Sequence, residues 1–545
     1  MSLPYLRVLL VFLCLTNSAF AQTGEVQNET IVVEKNKQLD LPAANREFEK
    51  IPDPQPQTLP TDSKYQLKDI GIVLPQFDTK VKVPTTKTDD PVQISKGYVK
   101  AGFGNYATTY LEAFVHTGKK KNYAAGARFK HLSSANGPYK GVKNSLNELD
   151  LQGKYWGSKQ WLSASLKTGR ERYTFYGIEK TDGVEWDDDS LKNIFNNVLA
   201  ELSTGNMTSG KTLYNTTFKY GYQSNNHSNT ESNIGANLNL THQKDVDHAI
   251  LGDVFFQYTS FTDTSTFSRV LFGLSPKYSF VKERLKTTVG LNYTFSGDTL
   301  KGSLGSHLYP LIDFNYTLVP NQLTAELGIK GGMEQNTWMS LTAQNPYMQQ
   351  NLSLANTNNT VNLYLALKGH VQEKIDFKVG GAYQTYKNLW YMVNSNVDTS
   401  KFMVVYDKDN ASRFNLNGEL SYDTKPFKTG IKLDYYAYSV GADVKKPWHR
   451  PSFVGTFFAA YTLYQKIVLK TDIYYIGGLS AINLVTNKET NLKDIVDINV
   501  KAEYRFSDTF SSFIAVNNLL SSKYQRYMYY QSRGLNMMLG LTYKF

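Results

Sequence analysis

An enzyme or a metal centre would show first in the titratable side chains, and in this 545-residue chain they are dispersed. The eight histidines (His116, His131, His227, His242, His248, His307, His370 and His449) form no HExxH or other close ligand spacing. No G-x-S-x-G elbow suggests a nucleophilic serine, and a Ser-His-Asp set would leave no local trace. Glu185-Trp186-Asp187-Asp188-Asp189 holds enough oxygens for calcium but lacks the spacing of a calcium loop, so it reads as a solvated acidic loop. The one cysteine, Cys14, excludes disulfide frameworks and cysteine-based zinc sites. We therefore expect no catalytic residues, no metal and no cofactor. Formal charge is +11, but the basic residues are scattered, which argues against a nucleic-acid partner.

The informative charges are those that alternate with apolar residues. In Val496-Asp497-Ile498-Asn499-Val500-Lys501-Ala502-Glu503-Tyr504-Arg505-Phe506 every second residue is apolar and each residue between is charged or amide. Phe414 to Tyr422, Ile431 to Ala437 and Ile467 to Tyr475 repeat the pattern. This is the period of β-strands with two different faces. If the apolar face meets lipid, Lys470, Asp472, Asp497, Lys501, Glu503 and Arg505 line a lumen. Their mixed signs suit a hydrated, salt-bridged wall better than a filter for one ion sign.

The elements that must carry these faces follow from composition and spacing. Aromatic residues make up 13% of the chain, against a mean hydropathy of −0.40. That excludes disorder, and no apolar run after the N-terminus is long enough for a membrane helix. Arg7, the apolar run from Val8 to Leu15 and the Ala19-Phe20-Ala21 site read as an export signal over 1–21. Residues 22–96 hold 8 of the 17 prolines and three aromatics, Phe48, Tyr65 and Phe77. They read as an extended Pro-rich segment without a core of its own.

From 97 to 545, period-two segments of about nine or more residues are separated by two classes of connection. Short turns fall at 118–122, 157–160, 204–210, 243–248, 281–284, 319–322, 372–374, 424–426, 464–466 and 507–510. Longer polar loops lie between, among them 172–190, 331–360, 388–412 and 477–494. Ten turns alternating with eleven loops make about 22 strands, so the fold class is all-β, a transmembrane antiparallel barrel with turns in the periplasm and loops outside. On the last segment Leu535, Met537, Leu539, Leu541, Tyr543 and Phe545 share one face.

The strand number, the short first loop Gly104-Asn105-Tyr106 and the ending Val516-Asn517-Asn518-Leu519-Leu520 … Tyr543-Lys544-Phe545 resemble the barrel of TonB-dependent outer-membrane receptors. The resemblance implies residence in the outer membrane, with Leu539, Leu541, Tyr543 and Phe545 as the signal read by the barrel assembly machinery. It also implies that Glu29-Thr30-Ile31-Val32-Val33 resembles the short box that pairs with TonB. The chain departs from the family in front of the barrel, where 34–96 is too short and Pro-rich for the usual globular plug. A channel for small solutes and a non-transporting scaffold or assembly partner are the two functions expected. Closure of the lumen is expected mainly from the loop 331–360, with 34–96 as a partial stopper.

Overall fold

The computed structural model describes residues 95–545 except 180–182, 187, 208–209, 299, 373 and 425. The signal segment, Glu29–Val33 and the rest of the Pro-rich segment up to residue 94 lie outside the described residues.

Alternating side chains give strands whose two faces differ, and here 22 of them form one antiparallel sheet. Each barrel strand pairs with its neighbour in the chain. The first, Gly97–Gly104, pairs with Thr108–His116 on one side and with the last, Asn536–Lys544, on the other. Closure removes the free edges whose unpaired amides a bilayer would not tolerate. At the closing seam Gly102 faces Gly540 in register. A Cβ on Gly540 would sit 2.2 Å from the Phe513 ring and 2.4 Å from the Ala101 carbonyl oxygen, so only glycine lets the ring lie flat there.

All ten short turns fall where the alternation breaks, for instance between Thr230–Gln243 and His248–Thr262 and between Phe453–Leu463 and Ile467–Gly477. In the latter Tyr464 and Gln465 both take left-handed backbone, φ 48° and 58°. Two successive positive φ values match the right-handed twist of the strands they join.

Burial runs opposite to that of a soluble protein. Leu365 and Leu539 are 59% and 65% exposed, whereas Thr294 and Asn415 are buried. Across the barrel strands the outward positions are mainly apolar and the inward ones mainly polar, with a few inward apolar groups such as Tyr110, Leu132, Phe513 and Met538 packed together, an arrangement that only a hydrocarbon surround rewards. At the turn end the outer belt is aromatic: Tyr422 packs near Phe427, Phe427 near Tyr461, Tyr504 near Phe506, and Tyr543 near Phe545. Amphipathic rings settle at such interfaces.

The loops at the other end form structure of their own. Leu389–Asn394, Phe402–Asp407, Ser480–Asn483 and Lys488–Asn491 make a four-stranded sheet, and Trp338–Gln344 is a short helix. Together they bury an aromatic core that includes Trp338, Phe402, Tyr527 and Tyr530. The sequence reading of residues 185–189 needs correction at one position. Trp186 is buried and stacks on Tyr139 at 5.5 Å, so this acidic loop is anchored and not wholly solvated.

Candidate functional site

The site is the lumen together with the loops folded over its mouth. Its wall is assembled by strand register. Lys100 lies opposite Glu112, Glu112 opposite Lys130, and Arg128 opposite Asp150. Directly opposed residues share a face, so these charges meet inside the barrel. Arg128 Nε donates to Asp150 at 2.8 Å and its Nη2 donates to Glu148. Lys167 reaches the other Glu148 oxygen at 2.6 Å, and Lys100 lies 3.8 Å from Glu112. Further round the wall Lys277 pairs with Asp253, Lys368 with Glu326, and Lys432 with Glu419. The inner surface is thus charged but locally balanced.

The loop between Leu323–Glu334 and Thr357–Val371 enters the mouth and is latched to this wall. Thr337 caps the helix in a reciprocal capping box with Ser340. From the wall, the Glu231 carboxylate accepts the Trp338 and Met339 amides at 2.6 and 3.0 Å. Gln223 donates to Thr342 and Asn193 to the Pro346 carbonyl, both at 2.7 Å. Arg269, 1% exposed, donates to the Asn356 side chain at 2.8 Å and to the Asn336 carbonyl. The Asn- and Gln-rich composition of this loop therefore serves the role expected of it, hydrogen bonding to a polar wall.

Beneath the helix a cavity of about 400 Å³ opens between the wall and the loop. Lys130, Glu148, Lys167 and Glu171 face Met339 and Thr342 across it. Above it the aromatic loops interlock, with Tyr347 stacked on Tyr530 at 3.6 Å between ring centroids. The Tyr527 hydroxyl donates to the Gln344 carbonyl at 2.8 Å. His449 is buried among these loops. One ring nitrogen lies 2.9 Å from the Met392 carbonyl and the other accepts the Met528 amide at 3.3 Å. That pairing selects the neutral imidazole protonated on Nδ1, and burial pushes its pKa down from 6.5 to about 4.

The residues singled out from sequence lie in one neighbourhood of the wall. Lys470 stands opposite Lys501, and Asp472 opposite Asn499. Asp497 accepts the Tyr524 hydroxyl at 2.7 Å, Glu503 accepts Ser511 at 3.1 Å, and Lys501 stands 4.8 Å over the Phe513 ring. Arg505 is opposite Ser511. Leu539, Leu541 and Tyr543 pair along the first strand with Phe103, Ala101 and Val99. The denser ion network around Arg128 was missed. Its members are spaced along five strands, and only the period-two pattern of Arg128-Phe129-Lys130 and Glu148-Leu149-Asp150 hinted at it. Among the described residues no group of histidine, cysteine or carboxylate side chains could hold a metal.

By sequence the chain matches no family model and no curated protein. By structure it resembles outer-membrane receptors. The FrpB iron transporter from Neisseria meningitidis superposes with a TM-score of 0.64 at 12% identity, covering 83% of this chain and 82% of that one. The ferripyoverdine receptor of the Pseudomonas aeruginosa outer membrane, solved with ferripyoverdine bound, gives 0.64 at 10% identity over 83% and 72%. The ferric-catecholate import receptor Fiu from E. coli K12, in its closed form, gives 0.62 at 10% over 83% and 82%. The shared feature is the fold, a closed 22-stranded antiparallel barrel with an outward apolar belt like that of these receptors.

Proposed function

We propose that the chain is a receptor-like outer-membrane channel, lacking a complete globular plug, that passes small polar solutes through a lumen closed by its own loops. The carrying observation is the cavity under the helix, large enough for a small solute and lined by lysines and glutamates together. Balanced charge favours polar, weakly charged cargo over one ion sign. On another sector of the wall Lys470, Asp472, Asp497, Lys501, Glu503 and Arg505 line the same lumen.

Liposome swelling tests the reading. The full chain should admit small sugars slowly, and a chain lacking 336–356 should admit them much faster. Deleting 34–96 should raise single-channel conductance only modestly. No swelling from any of the three proteins rejects transport.

A second reading, a scaffold or assembly partner that carries nothing, is favoured by how tightly the lid packs. Trp338, Leu354 and Phe402 are each no more than 1% exposed, and opening a core so dense is costly. Native electrophoresis of detergent-extracted outer membranes separates the readings, because a scaffold migrates in a stable complex. In either case Leu539, Leu541, Tyr543 and Phe545 serve as the signal for the assembly machinery, and Glu29–Val33 pairs as a strand with TonB. A peptide spanning 25–37 should bind the TonB periplasmic domain, and Ile31→Pro should abolish binding by removing a backbone donor.

A further inference from the structure

Where the lid meets the wall, a second cavity of about 80 Å³ lies away from the one described above. The wall contributes Glu334, Tyr386 and Arg413, and the loops contribute Trp390, Arg450 and Arg526. Three guanidinium groups thus face a single carboxylate.

Two of those groups are held in the same manner. Arg413 donates through Nε and Nη2 to the Gln384 amide oxygen, at 2.9 and 2.5 Å. Arg450 donates through Nε and Nη2 to the Trp390 carbonyl, at 3.2 and 2.7 Å. Both acceptors are neutral. Among the described residues neither guanidinium forms an ion pair, and neither Nη1 has a hydrogen-bond acceptor. The planes are set by aromatic faces, Arg413 lying 5.4 Å from the Tyr386 ring centre and Arg450 4.5 Å from that of Trp390. Tyr386 is 1% exposed, and its hydroxyl has no partner. Glu334 is the one carboxylate lining the cavity and lies at ion-pair distance from neither guanidinium, so two planar forks with free donors, a geometry that matches an oxyanion, face one shared negative charge. A liquid water occupies about 30 Å³, so the cavity accommodates two or three waters or one small oxyanion.

We propose that this seam is a binding site for a free small oxyanion of the phosphate, sulfate or carboxylate class, held by Nη1 of Arg413 from the wall, Nη1 of Arg450 from the loops and the Tyr386 hydroxyl. Because the donors belong to both parts, the bound anion ties the lid to the wall. The site stands whether or not the barrel transports anything.

The experiment uses the full chain in detergent and chloride buffer, titrated with inorganic phosphate at constant ionic strength. It is followed by tryptophan emission, since Trp390 and Trp448 line the cavity, and by the thermal midpoint of that signal. The expected result is a saturable response with a raised midpoint, lost in Arg413→Gln and in Arg450→Gln. Tyr386→Phe removes a hydroxyl that holds nothing in the empty protein. It should therefore fold normally and bind phosphate roughly tenfold more weakly. No response of the native chain, an equal response to added chloride, or an unchanged phosphate affinity in Tyr386→Phe overturns the assignment. So does a full response in both arginine variants, once heat-modifiable migration shows their barrels to be intact.

Discussion

The barrel wall and the loop lid bury opposite kinds of side chain. The wall turns Leu365 and Leu539 outward and keeps Asn415 inside, while the lid places Trp338, Phe402 and Tyr391 in its interior. One chain therefore contains two solvents' worth of folding logic. The wall is held by strand pairing closed into a ring, with side chains sorted by lipid on one side and a polar lumen on the other. The lid is held by the aromatic burial of a water-soluble protein, pinned to the wall by Glu231, Gln223 and Arg269. The lesson is that the two parts should fail independently and by different chemistry.

The largest effect should come from Trp338→Ala. Emptying a buried tryptophan site costs about 3–5 kcal/mol, and here the loss should fall on the lid alone. Protease cleavage within 336–356 and single-channel conductance should both rise, while heat-modifiable migration of the barrel stays normal. Loss of the folded barrel would show that lid and wall are one cooperative unit.

The wall should respond to the reverse change. Val500 lies near the middle of the strand Ile495–Arg505, on the face opposite Asp497 and Lys501. Val500→Arg should cost about 2–4 kcal/mol and reduce assembly into the membrane. Lys501→Gln should leave assembly nearly unchanged. Equal effects would mean that the two faces are misassigned.

A smaller effect is expected at the latch between the two parts. Glu231→Gln keeps the shape but removes the charge that accepts two amides at the start of the helix, a loss of about 1–3 kcal/mol. Hydrogen exchange at Trp338 and Met339 should accelerate, with the wall strands unaffected.

The mildest test is pH. His449 is neutral in the packed lid, with its pKa lowered from 6.5 to about 4 by burial. A loosened lid binds the proton more readily than the packed one between those values. The stabilisation is therefore complete above about 6.5 and is lost as pH falls toward about 4. Lid proteolysis should rise across that window, and His449→Gln should flatten the rise. A wall-dominated transition over the same pH range would contradict the separation.

The wall was legible because side-chain parity is a local property. Reading Val496 to Phe506 is enough to assign two faces, and each short turn, such as 424–426 or 464–466, announces itself by breaking the alternation. From that followed the number of strands, their order and the position of the closing strand. The lid was legible only in part. Amide-rich composition pointed to the loop 331–360 as a partner for a polar wall, but nothing near Trp338 in sequence names Glu231 or Gln223 as its anchors. Likewise the ion network joins Lys100, Glu112, Arg128, Glu148 and Lys167 through the register of five strands.

Within one strand, the bilayer and the peptide bond act on every residue in turn, so the sequence alone determined which side chains face out and which face in. Tertiary structure decided what lies between distant segments: the Tyr347–Tyr530 stack, the neutral His449, and the meeting of Arg413 with Arg450 in one cavity. Those contacts depend on how long loops return across the mouth, and loop return is set by the sum of many weak packing and hydrogen-bonding terms. No local pattern records that sum, so only the folded chain reveals it.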